Sequence, residues 1–233
     1  MEVTLNLSET EMVKSYFHKI AHDFDAIYTG EKSTLLVILD RILRRDMYQR
    51  YELTLAECFP VEGKKILDIG CGSGRFCIPL AKNGAEKVVG IDFAENMIQL
   101  AQDVAKDSGV MKTCKFIQDD FLNHHFDEKF DITIAVGLFD YIRNPEHYLH
   151  KIRALTKQKF IATYPIKWTY RMPIRKIRLS LKGCPVYFYT ISQIKALYKK
   201  AEFEVETVHK VGKIYFVVAS PFNNSKVNSH YEC

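Results

Sequence analysis

Downstream of residue 64, short apolar runs alternate with stretches whose apolar residues recur at helical spacing. The runs predict strands at 65–69, 87–91, 114–118, 131–136 and 158–163, with helices at 74–83, 95–107 and 145–155 between them. A crossover helix returns the chain to lie parallel to the strand it left, so this alternation specifies a parallel, doubly wound α/β sheet. A further helix is predicted over 190–200. Two last strands at 203–208 and 214–219, joined around Val211 and Gly212, predict a terminal antiparallel hairpin and seven strands in all.

The segment before the first strand follows a different period. Ser8 and Glu11 form an S-x-x-E capping box, so a helix is expected over 9–24 with Met12, Phe17, Ile20 and Ala21 on one side. Ser33 can cap a second helix that carries Leu35, Leu36, Leu39, Ile42 and Leu43 and continues to Cys58. The resulting division is an N-terminal helical lid at 1–60, an α/β core at 61–222 and a polar, frayed tail at 223–233.

The first strand runs directly into glycines at alternate positions, as ILDIGCGSGRF over residues 66–76. Gly70, Gly72 and Gly74 let the chain turn tightly and bring bare backbone close to a ligand, with the small Cys71 inside the turn. Asp68 at the strand end is placed to meet a cation. The dinucleotide fingerprint is G-x-G-x-x-G and serves a pyrophosphate, whereas the spacing here is G-x-G-x-G behind a carboxylate that would repel one. Three more segments follow in order: KVVGID ending in Asp92, FIQDDF carrying Asp119, Asp120 and Phe121, and FDITIAVGLFDYI with Val136 and Gly137 in its loop.

These four segments resemble the core of class I S-adenosylmethionine-dependent methyltransferases, with a general look of the quinone-biosynthesis and magnesium-protoporphyrin O-methyltransferase groups. The resemblance implies a Rossmann-like fold with S-adenosylmethionine as cofactor and S-adenosylhomocysteine as product. Asp68 and the glycine turn would then hold the amino-acid end, and Asp92 the ribose hydroxyls. Phe93 and Met97 would lie against the adenine, Asp119 or Asp120 would accept from its amino group, and Val136 and Gly137 would border the transferable methyl.

Charge adds a feature outside that core. The net charge of +5 is unevenly spread, since residues 147–201 hold 13 Lys/Arg and no acid. Within a basic, aromatic insert at 164–189, Arg171, Arg175, Arg178 and Lys182 form one stripe, opposite Met172, Ile174, Ile177 and Leu181. Such a segment suits a small anionic or lipid-like substrate, or peripheral contact with an anionic membrane surface. Nucleic acid is the competing partner. A solvated face that only aids solubility is the plain alternative.

Six cysteines without a C-x-x-C pair, and histidines without ligand spacing, predict reduced thiols and no metal. No apolar run is long enough to span a bilayer and the acidic start lacks a secretory signal, so a cytoplasmic protein is expected.

The candidate catalytic residues are Tyr141 and Tyr164 at strand ends, with Asp140 and the lid residues His18 and His22 behind them. Tyr28, Arg171 and Arg175 are candidate substrate contacts. O-methylation of a small metabolite is the favoured activity. An RNA or protein methyltransferase, and a catalytically silent cofactor-binding subunit, are the alternatives.

Overall fold

The computed structural model describes residues 45–167 and 185–222. The helix expected at 9–24, most of the one beginning at Ser33, much of the basic insert and the 223–233 tail lie outside the described residues. Within them the elements are α1 (Arg45–Cys58), β1 (Lys65–Ile69), α2 (Cys77–Lys82), β2 (Lys87–Asp92), α3 (Glu95–Asp107), β3 (Cys114–Gln118), β4 (Phe130–Ala135), α4 (Pro145–Leu155), β5 (Thr156–Pro165), α5 (Ile191–Lys200), β6 (Phe203–Val211) and β7 (Ile214–Pro221).

The seven strands form one mixed sheet in the order β3-β2-β1-β4-β5-β7-β6. β1 to β5 are mutually parallel, and β7 runs antiparallel to both β5 and β6. Central strands covered by helices on both faces must be apolar along their whole length, and β1 is buried at four of five positions. Successive residues then belong to opposite faces. Ile66, Val88 and Ile161 join a core beneath α2 and α3, whereas Leu67, Val89 and Phe160 join one beneath α4 and α5.

The terminal hairpin is present, but its second strand inserts between β5 and the first. Burial explains the order. β7, IYFVVASP, has four consecutive fully buried residues, while β6, FEVETVHKV, alternates and puts its charges at the sheet edge. Thr190 caps α5 through a reciprocal box, accepting from the Gln193 amide at 3.3 Å while its own N–H donates to Gln193 Oε1 at 2.9 Å.

Boundaries differ from expectation at β5, which spans Thr156–Pro165, at the ends of β6 and β7, which reach Val211 and Pro221, and at the start of α2. α2 begins at Cys77 rather than 74, because residues 72–76 stay in turns closed by the Gly74 N–H donating to Cys71 O at 3.0 Å. Helical bonding nonetheless starts from the Gly74 carbonyl, which accepts from the Ile78 N–H.

Candidate functional site: the carboxyl edge of the sheet

β1 pairs with β2 on one side and β4 on the other, so Asp68 stands opposite Gly90 and Ile134 and the three carboxyl ends open side by side. Ligands of open α/β sheets bind in the crevice at such an end. Gly70, Gly72 and Gly74 all have positive φ. At Gly74 the requirement is also steric, since a Cβ there would lie 2.9 Å from the Phe116 ring and 3.2 Å from Ala101. The Gly70 and Cys71 amides both donate to Ile91 O, at 2.8 and 3.2 Å, which ties the turn to β2.

Two carboxylates flank the turn. Asp68 is 1% exposed. Among the described residues its only hydrogen-bond donor is the Cys77 thiol, 3.5 Å from Oδ2. Burial pushes its pKa up to about 7, with the thiol opposing and the Asp92 charge adding to the rise. Asp92 accepts from the Gly72 amide at 2.9 Å through Oδ2 and from the Ala94 amide at 2.9 Å through Oδ1. Burial raises its pKa too, against those backbone donors. A buried acid with so weak a partner suits a cationic ligand group. Asp92, holding both loops through backbone N–H groups that include Phe93, keeps acceptor capacity for hydroxyls.

On the β2–β3 side, Phe93 packs half-exposed against Ala94 and Met97, the latter 3% exposed. The Asp119 N–H donates to Asp92 O at 3.1 Å, and its carboxylate faces His124, 2.8 Å from Nδ1. Asp120 accepts from the Leu122 amide at 2.7 Å. The Phe121 side chain is turned into the core against Tyr148, with ring centroids 5.8 Å apart. Any contact of Phe121 with a ligand is therefore left to its backbone.

The β4 loop forms the remaining wall. Gly137, at φ 85°, donates to Thr163 Oγ1 at 2.9 Å, and Leu138 Cδ1 lies 3.2 Å from where a Cβ on Gly70 would sit. Val136 is half-buried beside them, and Tyr141 is half-buried after a turn closed onto Leu138 O.

Tyr164 does not reach this mouth, contrary to expectation. It is fully buried, stacked on Phe139 at 4.7 Å, and its hydroxyl donates to Tyr198 OH at 3.2 Å. Burial drives its pKa well above the usual phenol value, with Tyr198 adding to the rise. The alternation of side chains along β5 sends Thr163 to the loop and Tyr164 to the opposite face. Asp140 is 5% exposed below the loop, and its carbonyl accepts from the Tyr187 amide at 2.8 Å. Tyr28, Arg171, Arg175, His18 and His22 lie outside the described residues.

The sequence places α1 in the helical lid but does not single out its Arg50 and Tyr51. Tyr51 stacks on Phe76 of the glycine turn at 5.7 Å, and Arg50 Nη1 comes within 3.5 Å of where a Cβ on Gly137 would sit. α1 thus bridges the β1 and β4 loops. Nothing in the local sequence distinguishes Arg50 from Arg45, the other basic residue of that helix.

Comparisons with known proteins bear on the family and the fold. A family profile described as a methyltransferase domain matches residues 60–203. The chain is 34% identical over 46% of its length to EEF1A lysine methyltransferase 2 of Danio rerio, covering 50% of that protein. It is 35% identical over 46% of its length to the ubiquinone biosynthesis O-methyltransferase of Roseobacter denitrificans, covering 42% of it. The chain therefore spans about half the length of the curated relatives it matches. Among solved structures, magnesium protoporphyrin IX methyltransferase from Synechocystis, with bound S-adenosylhomocysteine, superposes with a TM-score of 0.76 at 19% identity, over 91% of this chain and 99% of that one. That likeness establishes the seven-stranded fold. With the family match spanning well over half of its residues, the chain belongs to the class I S-adenosylmethionine-dependent methyltransferases.

Proposed function

We propose that the protein binds S-adenosylmethionine across the carboxyl ends of β1, β2 and β4 and methylates a small anionic or lipid-like acceptor, with oxygen as the favoured atom. Asp68 carries the donor half of this reading. A buried carboxylate whose sole donor among the described residues is a thiol gains most from an ammonium group. Asp92 takes the ribose hydroxyls. Asp120 takes the adenine amino group, because Asp119 is already engaged by His124. Phe93 and Met97 cover the base. Arg50, above Gly137, is the cation that faces a carboxylate at the amino-acid end.

When bound, the cofactor supplies a methyl group already activated by its sulfonium. The protein's share is alignment of the acceptor at roughly 3 to 3.5 Å and removal of its proton where needed. Tyr141, on the β4 loop, is the residue placed to accept that proton. Arg143, Lys167 and Lys213 stand on the loops at the carboxyl end of β4 and β5, and they support an anionic acceptor together with the Arg171 and Arg175 stripe. The same basic rim would serve a peripheral contact with an anionic membrane surface. No helix among the described residues is long and apolar enough to cross a membrane.

A protein-lysine acceptor is the second reading, favoured by the 34% identity to a lysine methyltransferase. Transfer of labelled methyl into organic-extract, protein and RNA fractions decides between them. Label in the organic extract supports the small-molecule reading, and label confined to protein or RNA overturns it. Binding of the cofactor without transfer to any fraction would point to a silent subunit.

A further inference from the structure

The segment between β3 and β4 carries the acid assigned to the adenine, yet it contains turns and no helix or strand. A loop of that kind has to be held from outside if its carboxylate is to stand at a fixed height above a ligand. The holding comes from α4. Lys151 Nζ donates to the main-chain oxygen of Leu122 at 3.0 Å and also to that of His124. Its ammonium lies 5.1 Å from the centre of the Phe121 ring and 5.8 Å from that of Phe126. Tyr148, one turn earlier on the same helix, stacks on Phe121.

The carbonyls that Lys151 holds belong to two of the three residues whose amides close onto Asp120, the third being Asn123. The Leu122 amide donates to Asp120 Oδ1 at 2.7 Å, and the His124 amide donates to Asp120 O at 2.9 Å. His124 also faces Asp119 through its ring. One lysine therefore holds the middle and the far end of the turn that presents the Asp120 carboxylate. Burial lowers the Lys151 pKa, and the Asp120 and Asp119 charges oppose that fall, so the ammonium is also within electrostatic reach of both acids.

We propose that Lys151 is a positioning residue for recognition of the donor's base: by clamping the main chain at Leu122 and His124, it sets Asp120 where it accepts from an adenine amino group and rejects an oxo group. This rests on the reading of Asp120 as the adenine acceptor. A site built to hydrogen-bond a donor discriminates against an analogue that presents an acceptor, because the half-exposed carboxylate then meets a lone pair instead of an N–H. Discrimination, unlike simple affinity, depends on how rigidly the acceptor is held.

The test is calorimetric titration of the full chain with S-adenosylhomocysteine and with its hypoxanthine counterpart, S-inosylhomocysteine, alongside a thermal melt. The wild type is expected to prefer the adenine ligand by about tenfold or more. Lys151→Met keeps the aliphatic packing on Phe121 and loses both carbonyl contacts; its preference should fall to about threefold or less. Lys151→Arg, which can reach both carbonyls, should restore it. If the Met variant does not fold, Lys151→Gln, whose amide can hold one carbonyl, should show an intermediate preference. A Met or Gln variant that melts earlier yet keeps the full wild-type preference would overturn the proposal. A wild type without any preference would overturn the Asp120 assignment, and the proposal with it.

Discussion

The two halves of the carboxyl edge are built by different means. On the β1–β2 side the site is made of backbone and short acids: a glycine turn, Asp68 buried beneath it, and Asp92 bonded to amides on both loops. On the β4–β5 side it is made of residues from segments far apart in sequence, including Arg50 of α1, Leu138, Tyr141 and the return at Tyr187. Backbone geometry with acids at strand ends suits a ligand whose shape never changes. Variable side chains on loops suit the partner that differs from one enzyme to the next.

The sharpest way to break this contrast is through its tyrosines. Tyr141→Phe is expected to lower the transfer rate about 100-fold or more at saturating cofactor if its phenol accepts the acceptor's proton. Tyr164→Phe should leave the rate within about twofold and cost about 1 kcal/mol of stability from the lost Tyr198 bond. Equal rate losses in both would erase the distinction between mouth and core.

The glycines probe the same contrast through the fold. Gly74→Ala combines a positive φ with a Cβ 2.9 Å from Phe116 and should cost about 3 kcal/mol by denaturant unfolding. Gly137→Ala meets only ordinary contact, with Arg50 at 3.5 Å, and should cost about 1–2 kcal/mol from φ alone. A Gly137 variant less stable than the Gly74 variant would show that the β4 wall is the tighter half.

Asp68→Asn should weaken binding of S-adenosylhomocysteine by about 1–3 kcal/mol, read by calorimetry, while an unchanged affinity would remove the carboxylate from the site. A pH dependence accompanies it. The ordinary carboxyl value of 3.8 rises to about 7 in the fold, so the native state binds more protons than the unfolded chain across that window. Stability contributed by this group is then fully present below about pH 4 and lost as pH rises towards 7. Binding of a ligand ammonium runs the other way, since it needs the ionised acid. Affinity should rise by up to about tenfold per unit towards pH 7 and level off above it, and Asp92, whose pKa is also raised, acts in the same direction. A flat profile in the wild type, or a profile unchanged in Asp68→Asn, would exclude Asp68 as the titrating group.

Much of the fold was legible because each strand carries its own local evidence. β1 and β3 fall at the predicted residues, and α3 and α4 at theirs, since apolar period and flanking polar residues act within a few positions. The start of α2 was misplaced because helical spacing in 75–82 says nothing about the turns that hold 72–76. The insertion of β7 inside β6 had a readable cause in the continuous apolar run of β7, but pairing order is decided by which strand loses more by facing water.

The donor site follows the same division. Asp68, the three glycines and Asp92 lie within 25 residues, and their roles depend on backbone conformation that local sequence dictates. Tyr164 was misassigned because strand alternation fixes a face only when the register of the whole sheet is known. Arg50 and Lys151 were invisible for a related reason: a long basic side chain acquires its partner from packing, and its target is a main-chain carbonyl or a glycine many residues away. The sequence by itself determined the α/β alternation, the glycine turn and the acids around it, since these rest on local periodicity and backbone sterics. Only the tertiary structure decided that Tyr164 lies in the core, which strand ends the sheet and what Arg50 and Lys151 approach, because those depend on contacts between residues that the chain order keeps far apart.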